Sequence, residues 1–332
     1  MRGLVLGLFL LLSFLGAHYA VSTILDVLEP AKVFDMVDRG DFDGVKHILS
    51  EGGKKEGLLT FQNEGGHTLL HWACSLGQVD IARYLLDLGS DVSTSNQGNG
   101  FTPLHWACSN GFESLVRILV DYGALLEARD FNGRTPLHLA CERGHRSIAM
   151  LLIERGSSIH AESDDLKTPI HYASFSGLLN VVQLLVDRGV DINIRTKWGD
   201  SALHYASSGT SMGHVKIIHL LLDRGADVDA LGMQGDTAFH WACWKGLGAI
   251  AELLVRHGAD MHWLGYQEED ATPFSLGACE TEPLRSRLLS AEGEAMERRR
   301  REAEEEEELC AADGTCGGRP TGVGTSSERD EL

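Results

Sequence analysis

The chain has 332 residues, 43% hydrophobic, 23% charged and 7% aromatic, a composition that supports a sizeable core and excludes collagen-like or wholly disordered chains. Its 29 basic and 48 acidic residues sum to −19, the wrong sign for a protein that binds by neutralising phosphates, which argues against nucleic acid as the main partner. Glycine is in excess, 38 against 7 prolines, and the glycines recur at a period.

The first segment, 1–22, has the form of a secretory signal peptide. Arg2 supplies a one-charge start, and the apolar run Leu4 to Leu15 is interrupted only by Ser13. That run is too short to span a bilayer, which takes roughly 20 apolar residues. Ala20 and Ser22 give a small-residue site with cleavage before Thr23, with Ala17 and Ala20 as other cleavage points. The mature chain is then expected to have no membrane span.

From 23 to 290 the chain is a repeat array. Val33 to Val37 and Val45 to Leu49 fit a helix pair that caps the array, so 23–66 reads as a cap repeat and first finger. Six repeats follow over 67–271, each opening on one short pattern: Thr68-Leu-Leu-His71, Thr102-Pro-Leu-His105, Thr135-Pro-Leu-His138, Thr168-Pro-Ile-His171, Ser201-Ala-Leu-His204 and Thr237-Ala-Phe-His240. The histidines are spaced 34, 33, 33, 33 and 36 residues apart. Thr and Pro suit a helix entry, the hydroxyl accepting from an orphan N–H and Pro losing no hydrogen bond at the first helical position. Glycines such as Gly77 and Gly111 end this first helix, and Gly89 and Gly123 end a second amphipathic one. Thr272-Pro273-Phe274 opens a degenerate copy over 272–290, with Ser275 in place of His and Pro283 to Leu289 as a short second helix. Extra residues mark loops: the first finger carries about four, and Gly209 to Ser211 is inserted in the fifth repeat.

This pattern resembles the ankyrin repeat, whose signature is T-P-L-H-x-A at a period of about 33. The resemblance implies an all-α solenoid of stacked helix-turn-helix repeats with β-hairpin-like finger loops, in which each histidine bonds backbone groups of the adjoining finger. A lone helix pair cannot bury both apolar faces, so the repeats stabilise one another.

Beyond the array, 291–309 is a charged segment, helical or disordered, in which Arg298 to Arg301 precede Glu302 and Glu304 to Glu308 with Arg and Glu four apart. The remainder, 310–332, reads as a disordered tail. It ends Arg329-Asp330-Glu331-Leu332, which resembles the KDEL retrieval signal of the endoplasmic reticulum and implies a KDEL-type receptor as partner.

Chemistry is sparse. His71/Cys74, His105/Cys108, His138/Cys141 and His240/Cys243 share H-x-x-C spacing, but each pair offers two ligands where a structural zinc needs four, and equivalent atoms of neighbouring repeats lie about 10 Å apart. No metal or other cofactor is expected. Cys74, Cys108 and Cys141 are expected to be buried thiols; Cys310 and Cys316 are close enough along the chain to form a small disulfide loop; Cys279 has no evident partner. No nucleophile elbow, phosphate loop, H-E-x-x-H or C-x-x-C occurs, so the chain is not read as an enzyme.

Recognition remains. The resemblance places finger tips and the exposed side of the first helix in a concave groove. Register puts Phe101, Phe131, Trp198 and Met233 on fingers, and Phe175 and Trp244 on first helices, where large apolar groups mark a partner site. Arg134 and Lys167 would make a basic half of the groove, Asp200 and Asp236 an acidic half, and Trp72, Trp106 and Trp241 read as inter-repeat core. The expectation is a monomeric, lumenal, non-catalytic scaffold binding a protein or peptide. Two rivals are a lumenal calcium-buffering or chaperone-like protein using its acidic tail, and a cytosolic scaffold of the same fold.

Overall fold

The computed structural model describes residues 30–50, 55–262, 279 and 282–313. The leader 1–22, the seventh T-P start at Thr272, Cys316 and the terminal Arg329 to Leu332 lie outside the described residues, as does the side chain of Cys310. The chain divides into two compact units, Met1–Gly235 and Asp236–Leu332.

The first unit is helical. Helix α1 runs through 30–39, followed by α2 (Phe42–Ser50), α3 (Lys55–Thr60), α4 (Leu69–Leu76), α5 (Val79–Asp87), α6 (Pro103–Asn110), α7 (Glu113–Asp121), α8 (Pro136–Glu142), α9 (Arg146–Glu154), α10 (Pro169–Phe175), α11 (Leu179–Asp187), α12 (Ala202–Ser207) and α13 (Met212–Asp223). Helices α4, α6, α8, α10 and α12 pack in succession as an inner layer; α5, α7, α9, α11 and α13 form the outer one. Each inner helix is only six to eight residues long, far below the length at which a helix holds its own in water. Packing therefore holds them. Leu104, Ala107 and Cys108 of α6 and Leu115, Val116 and Leu119 of α7 are wholly buried, and each large aliphatic group so buried contributes about 1.5–3 kcal/mol.

Where each inner helix starts is set by a capping box in which histidine stands where Glu or Gln is usual. Thr68 Oγ1 accepts the His71 N–H at 3.4 Å, while His71 Nδ1 accepts the Thr68 N–H at 3.1 Å. Pro103, Pro136 and Pro169 occupy the first helical positions of α6, α8 and α10. The turn after α4 needs a left-handed residue, and Gly77, at φ 79°, supplies it.

The fingers are hairpin-like as expected, with no strands among the described residues and with closing bonds such as Asp130 N–H to Arg134 O at 2.9 Å. Two local features differ from the sequence reading. The insertion after Gly52 contains the short helix α3. The Gly209 to Ser211 insertion ends in a further capping box, Ser211 with His214, whose Nε2 reaches back to Phe175 O at 2.9 Å.

The second unit contains α14 (Ala238–Trp244), α15 (Gly248–Arg256) and α16 (Glu282–Asp313). A short helix at Pro283 to Leu289 and a separate charged segment were expected; instead one helix of 32 residues runs through both. Its first part packs on α15, with Leu288 and Ala291 wholly buried. Packing continues through the buried Ala295 to Arg299, whose guanidinium donates to Gly258 O, and exposed ion pairs of Arg301 with Glu297 and Arg300 with Glu304, at 3.6 and 3.2 Å, brace the helix there. Cys279, thought unpartnered, is disulfide-bonded to Cys243 of α14, with Cα atoms 5.3 Å apart. Cys279 stands four residues after Ser275, whereas Cys74, Cys108, Cys141 and Cys243 each stand three after a histidine.

Candidate finger-face binding site

The fingers are positioned from below by the repeat histidines. Because Nδ1 of each accepts a backbone N–H, Nε2 carries the proton and donates to the next finger: His71 to Phe101 O at 3.1 Å, His105 to Arg134 O at 3.1 Å, His138 to Ala161 O at 2.9 Å and Lys167 O at 3.1 Å, and His171 to Ile194 O at 3.1 Å. Burial pushes the pKa of all four down to about 4, against the modest opposing pull of these carbonyls. They are neutral struts, with both ring nitrogens occupied. Among the described residues no group of three or more His, Cys, Asp or Glu side chains is gathered for a metal. Cys74, Cys108 and Cys141 are buried free thiols, raised in pKa by desolvation, Cys141 to about 12.

Adjacent fingers are stitched by single backbone bonds: Phe131 N–H to Asn99 O, Asp164 N–H to Asn132 O, and Lys197 N–H to Asp165 O, at 2.9–3.0 Å. Finger and inner helix are further joined at one repeated place. The residue before the helix N-cap packs on the fourth residue of the helix, the arrangement of a hydrophobic staple. His67 meets Trp72 at 5.9 Å between centroids and Phe101 meets Trp106 at 5.2 Å. Lys167 lies over Tyr172, and in the second unit the Trp241 indole N–H donates to Asp236.

This staple revises the expected groove. Phe101 is only 7% exposed, stacked on His105 and Trp106, and leaves the recognition surface. Asp200 is buried. Arg134 is held by the buried Asp130 at 2.8 Å and by Glu142 at 2.8 Å. Of the four charges expected to line the groove, Arg134 and Asp200 are thus withdrawn from its surface, and Lys167 stays on the aromatic floor. Trp72, Trp106 and Trp241 are half-buried at the base of the fingers rather than in the core.

Large apolar side chains remain open to solvent. Phe131 at a finger tip is 63% exposed, Phe175 at the end of α10 is 54%, and Met233 is 63%. Trp198 is half-buried, its ring 5.0 Å from the Lys167 ammonium; Tyr205 and Tyr172 face the same ammonium at 5.3 and 5.8 Å. Phe175 adjoins Tyr205, with ring centroids 6.4 Å apart. An aromatic floor thus joins α10, α12 and two fingers in the first unit. In the second unit Trp244 is 66% exposed beside Lys245, whose ammonium lies 4.7 Å from the ring.

One residue of this surface was not singled out from the sequence. Leu166, at φ 57°, is the one non-glycine with positive φ among the described residues. Its finger makes the same turn as its neighbours, Leu166 N–H to Ser163 O at 2.8 Å matching Gly133 N–H to Asp130 O and Gly199 N–H to Thr196 O at 2.9 Å. A side chain in that conformation costs about 1–2 kcal/mol. Since Leu166 is 43% exposed, core burial does not offset the strain. The signal was present in the sequence as a Leu where the equivalent positions are Gly133 and Gly199.

Comparison with known proteins agrees with this architecture. The family model "Ankyrin repeats" matches in three copies, over residues 33–130, 124–196 and 189–262. The solved human ASB11 ankyrin repeat domain aligns with 69% of this chain and 98% of its own, at 27% identity and a TM-score of 0.59. Protein phosphatase 1 regulatory subunit 27 of Mus musculus is 42% identical over 75 residues, 22% of this chain and 46% of that protein, so the chain spans less than half the length of this relative. With the repeat model covering well over half of its length, the chain belongs to the ankyrin repeat family.

Proposed function

We propose that the protein is a non-catalytic scaffold of the endoplasmic reticulum lumen that binds a protein or peptide partner on the finger face of its first unit. In this fold that face is the concave one. The observation that carries the reading is the exposure of Phe131, Phe175 and Met233 at positions the repeat does not require to be apolar. Phe175 adjoins the aromatic floor through Tyr205, and exposed aromatic groups are the usual anchors of an interface. The lumenal placement is supported by the Leu4 to Leu15 run with the KDEL-like Arg329 to Leu332, and by the Cys243–Cys279 disulfide, which suits an oxidising compartment. Trp244 of the second unit is a further candidate contact.

Two measurements test the proposal. Phe175→Ala is expected to weaken partner binding by about 2 kcal/mol, the scale of an aromatic anchor, with thermal stability nearly unchanged; stability lost in proportion to binding would make the ring structural. Two residues added after Leu332 are expected to release the protein to the medium, and continued retention of that form would count against receptor-based retrieval.

A further inference from the structure

The finger 163–167 combines two features that the fold does not need. Leu166 holds a strained backbone while pointing a large apolar group at solvent, and Lys167 places its ammonium over Tyr172, Trp198 and Tyr205 with no ion pair among the described residues. The arginines of these fingers are engaged within the chain, while Lys197 at the next finger tip is exposed. Arg134 is taken by Asp130 and Glu142, Arg195 by Asp227 and the Leu231 carbonyl, and Arg129 by the Glu162 carbonyl. Lys167 thus has no ion pair among the described residues and sits on an aromatic floor whose own cation site it already fills. A second cation from a partner would be repelled, and an uncharged segment would leave the ammonium partly desolvated and unpaired.

We infer that this finger recognises an extended protein segment in which an Asp or Glu side chain lies beside a large apolar one, the carboxylate pairing with Lys167 and the apolar group resting against Leu166 and Phe175. The inference rests on the finger-face reading above and names the chemistry of the partner. Strain at Leu166 is retained because the residue is used outside the chain, where its burial comes only with the bound segment. Lys167 is pre-placed by three rings, so little side-chain freedom is lost when the carboxylate arrives.

The test uses the full chain and three fluorescein-labelled peptides of equal length. One alternates glutamate with leucine and phenylalanine, one replaces glutamate with glutamine, and one replaces it with lysine. Fluorescence anisotropy is expected to show the glutamate peptide binding roughly tenfold more tightly than the glutamine one, and the lysine peptide weakest. Lys167→Met, which keeps an apolar chain on the rings, is expected to abolish the preference for glutamate over glutamine. Leu166→Gly is expected to weaken the glutamate peptide several-fold while raising the melting temperature, opposite signs that a purely structural residue does not give. Failure of the glutamate peptide to bind, equal binding of all three, tighter binding of the lysine peptide, or a glutamate preference that survives Lys167→Met overturns the inference. If in such a case Phe175→Ala still weakens the peptide that binds, the finger-face reading stands and only the acidic chemistry is wrong. If Phe175→Ala has no effect on any peptide, both fall.

Discussion

Acidification should unfold the first unit through its repeat histidines. His71, His105, His138 and His171 have folded-state pKa values near 4, against about 6.5 in an unfolded chain. Because the folded value is depressed, the unfolded state binds more protons between these limits. Stability is fully present well above pH 6.5 and declines as pH falls through 6.5 towards 4. One unit below the unfolded value, at pH 5.5, each histidine withdraws about 1.4 kcal/mol, and four together about 5–6 kcal/mol. That approaches the whole stability of an ordinary domain. Urea unfolding followed by far-ultraviolet circular dichroism at pH 7.5, 6.5 and 5.5 measures it. The midpoint should fall modestly between the first two, with a loss of about 1.4 kcal/mol for the four histidines together, and steeply by the third, while His138→Gln, which cannot take up the proton, should show a shallower fall. A midpoint constant down to pH 5.5 would mean that the struts are charged or solvated, and the account of how fingers are fixed would be wrong.

Three further outcomes are expected. His138→Ala leaves the Thr135 N–H and the Ala161 carbonyl without their His138 bonds and removes one of the two bonds to the Lys167 carbonyl, so it should cost about 1–3 kcal/mol in denaturant unfolding; a loss below about 0.5 kcal/mol would contradict the strut role. Cys74, Cys108 and Cys141 should resist a thiol reagent in native buffer and react on unfolding, since burial suppresses the thiolate. Reducing the Cys243–Cys279 bond, which closes a loop with a sequence separation of 36, should destabilise the second unit by about 3–4 kcal/mol, and scanning calorimetry with and without reductant would show whether its melting falls.

The solenoid was legible because its determinants are local and repeated. Thr, Pro and His at fixed offsets specify a helix start and a bond to the next finger, and a period of 33 then implies stacking. What escaped depended on pairing between a finger and its own helix. Phe101 looked exposed by register, yet it precedes the Thr102 cap and packs on Trp106 four residues into α6. The same rule, applied in advance, would have placed Lys167 over Tyr172. Counting opposite charges along the fingers suggested two halves of a groove; the structure shows Arg134 spent on Asp130, a partner four residues before it. The continuity of α16 was obscured because its composition changes midway from apolar to charged while its helical propensity does not.

The central claim is that the finger face of the first unit engages a protein partner. A photo-crosslinking amino acid placed at Phe131 or Phe175, both exposed on that face, and at Arg117 of the outer helix α7 tests it most directly when the three variants are irradiated in the same intact secreting cells. The account predicts one discrete adduct shared by positions 131 and 175 and absent at 117. Adducts at 117 alone, or identical patterns at all three positions, would contradict it.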